Sequence, residues 1–340
     1  PIGIIAGKSE YMDALDGGMW QYGDDSFPEA GVTYFAGTFI RHPLALVAVK
    51  AVLDKLKAEG SMLQAGVTRR AAIFAEEVNR HFHRLGVPVE VTYFASVILP
   101  RFYGNPDYEG LFYHHLRYNG IHIWEGRPGF LTTAHSDADI QLMVDAFVKA
   151  GETLLEHGFF PESQQRLPEV RPWTPPQQEI WLTLMMGDGA GSAYNEQIIF
   201  DFAGTLDQQV LELTLDKVVN RHASLRAVVL KDESGIAVQP YMSPAVAFHD
   251  LTGLAGQELQ QRLEDLERDN IDRPFDYKNG PLVRFSVIEH AGESTRLCFA
   301  VSHLVCDGWS MEVVMQDIAG YYTAMKQGRQ PDRGVPPGLS

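Results

Sequence analysis

Cysteine is nearly absent from this sequence, with Cys298 and Cys306 the two among 340 residues. Two thiols make no disulfide scaffold, so a reduced, cytoplasmic setting is expected. Positive charge is also scarce. Lys and Arg total 28 against 44 Asp and Glu, for a net charge of −16, and no dense Lys/Arg run occurs. Nucleic-acid binding is therefore disfavoured. No apolar run reaches the roughly 18 residues that a membrane-spanning helix requires, and no secretory signal pattern is visible. Internal repeats and low-complexity tracts are missing too. What is there suits a globular protein: 45% apolar and 11% aromatic residues, over a length that predicts two domains. The chain opens at Pro1 in what reads as mid-domain sequence and closes on Pro336-Pro337-Gly338-Leu339-Ser340, so a fragment of a larger polypeptide is expected.

Apolar spacing predicts helices over 44–57 and 62–85, strands over 89–94 and 97–99, and a short helix over 111–118. Strands follow over 121–124 and 130–133. A helix then runs to about Glu156, with Ser136 as N-cap and Asp139 at the capping-box position. The Pro-rich, aperiodic stretch 158–172 reads as a linker between residues 1–157 and 173–340. Beyond it the pattern is helix 176–186, strand 195–203, helix 207–221, strands 225–231 and 236–240, helix 256–270, strands 281–289 and 295–302, and helix 310–326.

The stretch Phe299–Ser310, FAVSHLVCDGWS, carries the most chemistry. It reads as an apolar strand ending in His303, a turn through Asp307-Gly308, and a helix start. A histidine at a strand end is well placed to act as a general base. Asp307 would shape the turn, and Gly308 would leave backbone freedom and room for a substrate.

This stretch resembles the HHxxxDG motif of condensation domains in nonribosomal peptide synthetases, with Ser302 at the first histidine position. Three upstream landmarks occur in the family's order: TPPQQEIW at 174–181, RHASLR at 221–226 and PFDYKNGPLVR at 274–284. The resemblance covers roughly 168–340. It implies the N-terminal lobe of a chloramphenicol-acetyltransferase-like fold, His303 as the residue beside the attacking amine, and Arg226 as a structural partner of Asp307. It also implies acyl and peptidyl carrier domains as partners, their phosphopantetheine arms entering a tunnel.

Residues 1–157 carry TYFAGTFIRHPLA at 33–45 and GIHIWEGRPGFLTTAHSDADI at 120–140. These resemble the C-terminal part of class III aminotransferases of the glutamate-1-semialdehyde type, which are fold-type I enzymes of α/β class. The resemblance implies pyridoxal phosphate as cofactor, Gly37 and Thr38 as phosphate-binding residues acting across a homodimer, and a Schiff-base lysine upstream of Pro1. Lys8 does not match that lysine's position.

Other residues invite bland readings. His81 and His83 stand two apart on a helix and point in different directions, so no metal site is expected. His114-His115 lack the Asp-Gly that follows His303. GDGAGS at 187–192 sits between a helix and a strand, the wrong order for a phosphate loop. Glu125 and Arg127 read equally as a turn salt pair or as substrate contacts. Cys306 reads as a packing residue.

The expected architecture is thus α/β followed by α+β: the end of an aminotransferase joined to an incomplete condensation domain. The order resembles the microcystin and nodularin synthetases, and those of iturin-like lipopeptides. It implies transamination of a carrier-bound β-keto chain followed by amide formation, with this piece alone inactive in both. Two alternatives stand beside it: a free-standing acyltransferase of the chloramphenicol-acetyltransferase type, and a non-catalytic docking segment.

Overall fold

The structure is a computed structural model that describes residues 3, 5–12, 23–27, 37, 40, 42–104, 108–160, 167–186, 192–290 and 294–329. It divides into two compact units, Pro1–Leu63 and Gln64–Ser340. In the first unit, α1 (Ser9–Met12) is a single turn. Helix α2 (Pro43–Glu59) has Pro43 in its first turn, where the missing N–H has no intrahelical partner to lose. It buries no residue, and Leu44, Leu46, Val47, Val52 and Leu53 are exposed.

The second unit begins in α3 (Ser61–Leu85). Strands β1 (Val89–Phe94) and β2 (Val97–Phe102) form an antiparallel hairpin, and β3 (Gly129–Phe130) adds to β2. Helices α4 (Glu109–Tyr118) and α5 (Asp137–Glu156) complete this layer. Its core is aromatic, with Phe74 and Phe112 each edge-on to Phe147. The Asn79 amide on α3 both donates to and accepts from the Val91 backbone, at 2.9 and 2.7 Å, which fixes helix to strand. Ser136 and Asp139 close the expected capping box on α5. The strand expected over 121–124 is irregular backbone, and the one expected over 130–133 is the two-residue β3.

The rest of the unit starts with β4 (Glu169–Pro172) and α6 (Pro175–Met185). Then come β5 (Asn195–Ala203), α7 (Gln208–Arg221), a 3-10 turn, β6 (Ala227–Val229), β7 (Gly235–Val238) and β8 (Ala245–Leu251). Helix α8 (Gly256–Asp272), β9 (Val283–His290), β10 (Ser294–Ser302) and α9 (Gly308–Lys326) finish it. The larger sheet runs β5-β10-β9-β8, antiparallel except for the parallel β8·β9 pair. Because strand side chains alternate between faces, Phe285, Val287, Leu297, Phe299 and Val301 join the core with α7 and α9. Ile288 and Cys298 face Leu263 and Leu266 of α8 instead. Phe285 and Phe299, paired across the strands, stack at 5.1 Å.

The smaller sheet, β4-β7-β6, includes residues read from sequence as linker. Arg171 and Pro172 pair with Ile236 and Gly235. A Cβ at Gly235 would fall 2.3 Å from the Arg171 carbonyl oxygen, so glycine is required for this approach.

Compactness and sequence divide the chain at different places: contacts break near residue 63, whereas the aperiodic stretch is 158–172. The reason is the seam between α3 and the α7/α9 pair. Ala72, Val210, Leu213 and Met325 form a buried cluster there. Around it, Lys217 pairs with Glu76, Arg80 with Glu212, and Asp207 with both Arg69 and Lys326. Among the described residues, no helix is long and apolar enough to cross a membrane.

Candidate active site

The end of β10 builds the site. Ser302 and Val301 pair with Asn195 and Glu196 of β5. The His303 N–H donates to the Tyr194 carbonyl at 2.7 Å, so pairing continues one residue beyond the strand. The chain then turns. Val305 N–H donates to the Ser302 carbonyl at 3.0 Å, and Leu304 N–H donates to Ser302 Oγ at 3.3 Å. Gln177 of α6 donates to the Leu304 carbonyl at 3.3 Å, which ties the TPPQQEIW segment to this turn.

Ser302 is fully buried. It stands where the resembling motif has its first histidine; its hydroxyl accepts from the turn and donates to the Tyr277 hydroxyl at 3.5 Å. His303 leaves the same turn with its side chain 35% exposed. Its Nδ1 lies 3.1 Å from the Cys306 carbonyl oxygen and 3.2 Å from Glu196 Oε1. A carbonyl oxygen only accepts, so Nδ1 carries the proton. Among the described residues, no hydrogen bond is made by Nε2, which is left with a free lone pair. That is the arrangement a general base needs.

Asp307 N-caps α9 and accepts from the Ser310 N–H at 2.8 Å. Hydrogen bonds from the Ser310 side chain and backbone hold its carboxyl below the usual carboxylate range. The expected Asp307–Arg226 pairing is corrected by the structure. Arg226 closes the 3-10 turn before β6, and its guanidinium donates to the Gln239 carbonyl. The Asp307 carboxylate is instead committed to the first turn of its own helix.

Gly308 is also placed differently from the backbone-freedom reading. It lies in that first turn without a positive φ, and a Cβ there would meet nothing within 4 Å. Open space beside the histidine turn is what remains of its expected role. Trp309 next to it is 77% exposed. Burial pushes the Cys298 and Cys306 thiols up to about 12, which removes both as nucleophiles.

The remaining candidates do not gather into a second site. Gly37 is described, with its carbonyl accepting from the Ile40 N–H at 3.1 Å, whereas Thr38 lies outside the described residues. Lys8 is 83% exposed beside Glu10. His81 Nδ1 meets Arg84, while the His83 ring lies 6.0 Å from that of Tyr241. Glu125 accepts from Arg117 at 2.8 Å, and Arg127 lies over the Trp124 ring instead, so the Glu125–Arg127 turn pair is not made. Of GDGAGS, residues 187–191 lie outside the described residues. Among the described residues, no group of three or more His, Cys, Asp or Glu is arranged to hold a metal ion.

Glu196 and Tyr194 escaped the sequence reading. The available signal was a carboxylate at a position whose strand parity, Ile198, Phe200 and Phe202, is otherwise apolar.

The condensation domain family matches residues 168–337, half of the chain, and the chain belongs to that family. Chondramide synthase cmdD of Chondromyces crocatus is 31% identical over 176 residues, covering 50% of this chain and 4% of that protein. Malpinin synthetase of Mortierella alpina is 30% identical over 154 residues, covering 45% of this chain and 2% of that protein. The chain thus spans a small part of the length of these curated relatives. Among solved structures, the starter condensation domain of rhizomide synthetase RzmA is 23% identical with a TM-score of 0.44, covering 49% of this chain and 40% of that one.

Proposed function

We propose that the chain serves a multimodular synthetase in which His303 assists amide formation between two carrier-bound thioesters. The amine of an acceptor aminoacyl thioester attacks the carbonyl of a donor acyl thioester. As the C–N bond forms, a proton passes from the amine to His303 Nε2. The C–S bond breaks, and the departing thiolate takes that proton. The products are one amide and one free carrier thiol, and the imidazole returns to its starting form. The observation that carries this reading is His303 Nδ1 lying 3.1 Å from the Cys306 carbonyl oxygen, which places the proton on Nδ1, with no hydrogen bond at Nε2 among the described residues. Synthetase relatives of the condensation family support carrier-bound substrates.

We also propose that residues 1–157 belong to a class III aminotransferase that prepares a β-amino acyl donor. The Gly37-Thr38 motif and the small antiparallel layer β1-β2-β3 under α3, α4 and α5 support it. The described residues do not by themselves fit pyridoxal phosphate. The described lysines in this part, Lys8, Lys50, Lys55, Lys57 and Lys149, are all exposed, so none is enclosed as a Schiff-base lysine would be. No transamination step is therefore assigned to this chain. A homodimer and a cytoplasmic setting belong to the same proposal. Transamination by these 340 residues alone would overturn the placement of the reactive lysine elsewhere.

Substrate form separates the synthetase reading from a free-standing acyltransferase. The account expects product when both thioesters are loaded on carrier domains, and little when soluble coenzyme A thioesters and free amino acids replace them. Equal rates with soluble substrates would favour the acyltransferase.

A further inference from the structure

Glu196 stands in a place where burial gives it nothing. On β5 its parity is that of Ile198, Phe200 and Phe202, which pack on the apolar core under α7 and α9. At the strand end this face opens, and the Glu196 side chain is 36% exposed. Its direct partner across the sheet is Val301, two residues before His303. Residues opposite one another, and their diagonal neighbours two positions on, share a face of the sheet. Glu196 and His303 are such a diagonal pair, and Oε1 reaches Nδ1 at 3.2 Å.

Two acceptors therefore meet one ring nitrogen. The Cys306 carbonyl, at 3.1 Å, fixes the tautomer without adding a net charge. Glu196 adds the charge. When Nε2 takes a proton the ring becomes a cation, and a carboxylate against the opposite nitrogen stabilises that cation more than it stabilises the neutral ring. Asp307 is the other carboxylate that acts on the ring through its charge, but no hydrogen bond or ion pair between the two is seen among the described residues. Asp307 is bound to its own helix end through Ser310. Cys306 is a buried thiol.

We propose that Glu196 is a positioning residue for condensation, holding the His303 ring through Nδ1 and stabilising its protonated form while the amine attacks. This rests on the reading of His303 as the base. It names a group outside the HxxxDG segment, contributed by another strand.

The test uses the full synthetase that carries this chain, with both thioesters loaded on carriers. Glu196→Gln keeps an oxygen near Nδ1 and removes the charge. A half-exposed pair predicts a fall in kcat of about two- to fivefold with KM unchanged. Glu196→Asp, which keeps a carboxylate on a shorter stem, should recover part of the loss. In a His303→Ala background the residual rate should not change when Glu196→Gln is added, because the partner ring is gone. An unchanged kcat in Glu196→Gln would overturn the proposal, as would the same fractional loss in both backgrounds.

A second readout separates this failure from that of the base assignment. The 15N imidazole resonances of His303 in the 340-residue chain should show the Nδ1–H form. They should shift in Glu196→Gln. If His303→Ala retains full turnover, the base assignment falls, and an unshifted ring spectrum would then sink the Glu196 role independently.

Discussion

The Tyr241 hydroxyl donates to the Asp216 carboxylate at 2.5 Å, from the segment after β7 onto the buried side of α7. Burial is the larger influence on this acid and pushes its carboxyl up to about 6. Both residues border the α3 seam, where Lys217 meets Glu76. Burial is the largest influence and acts to lower the Lys217 pKa, but Glu76 together with Tyr321 and Glu90 outweighs it and holds the amine above its usual range.

Asp216 makes the fold sensitive to pH in a stated direction. In the unfolded chain its carboxyl returns to about 4. The folded chain binds the proton more tightly, so its stabilising contribution is fully present below about 4 and lost as pH rises through about 6. Asp216→Asn keeps an acceptor for Tyr241 and removes the ionisation. Thermal melts should show the variant more stable than wild type at pH 8 by about 1–3 kcal/mol. The two should converge at pH 4. Equal melting temperatures at both pH values would remove this role from Asp216.

Asp307 predicts the opposite dependence. Its carboxyl is held below the usual range by Ser310, so the contribution is present above the unfolded value and lost as pH falls through the lower folded one. Asp307→Ala deletes the N-cap of α9 and should cost about 1 kcal/mol at pH 7. In strong acid the difference should shrink. Chemical denaturation at pH 7 and pH 3 measures both numbers. A loss independent of pH would mean the side chain acts without its charge.

The histidine motif, the helices and most strands of residues 173–340 were legible from periodicity, turn residues and the order of the motifs. The register that places Glu196 beside His303 was not, because it depends on which strand pairs with β10. Pairing between elements about 100 residues apart leaves no mark in either segment alone. Arg226 was misassigned for a related reason. Its backbone neighbour Gln239 comes from the adjoining β6–β7 sheet, and a carbonyl acceptor has no side-chain signature. The α3 seam was also hidden. Its ion pairs join residues more than 100 positions apart, and a solvated helix face reads the same in sequence.

Ser302 separates a structural role from a catalytic one. Its hydroxyl is the acceptor for the buried Leu304 N–H, so Ser302→Ala leaves that donor unsatisfied. The expected cost is about 1–2 kcal/mol of stability. Turnover at a temperature well below the melt should fall less than about tenfold, since the hydroxyl bonds the Leu304 N–H and the Tyr277 hydroxyl and not the His303 ring. A loss of turnover as deep as that of a His303 variant would make Ser302 part of the chemistry.

Gly235 tests the edge strand. A Cβ there meets the Arg171 carbonyl at 2.3 Å, so Gly235→Ala should force β4 off β7. Amide exchange at Glu169, Val170 and Arg171 should accelerate, while β5, β9 and β10 stay protected. Retained protection over those residues would show that the backbone shifts to make room.

The most direct test is single-turnover amide formation in the synthetase proposed to carry this chain, with donor and acceptor thioesters loaded on carrier domains. Wild type and His303→Ala would be compared after circular dichroism shows the same fold. A half-exposed side chain at a strand end leaves the core intact when truncated. The account predicts a loss of about 10²–10⁴-fold in the condensation rate. A rate within about twofold of wild type would contradict it and leave His303 as a turn residue.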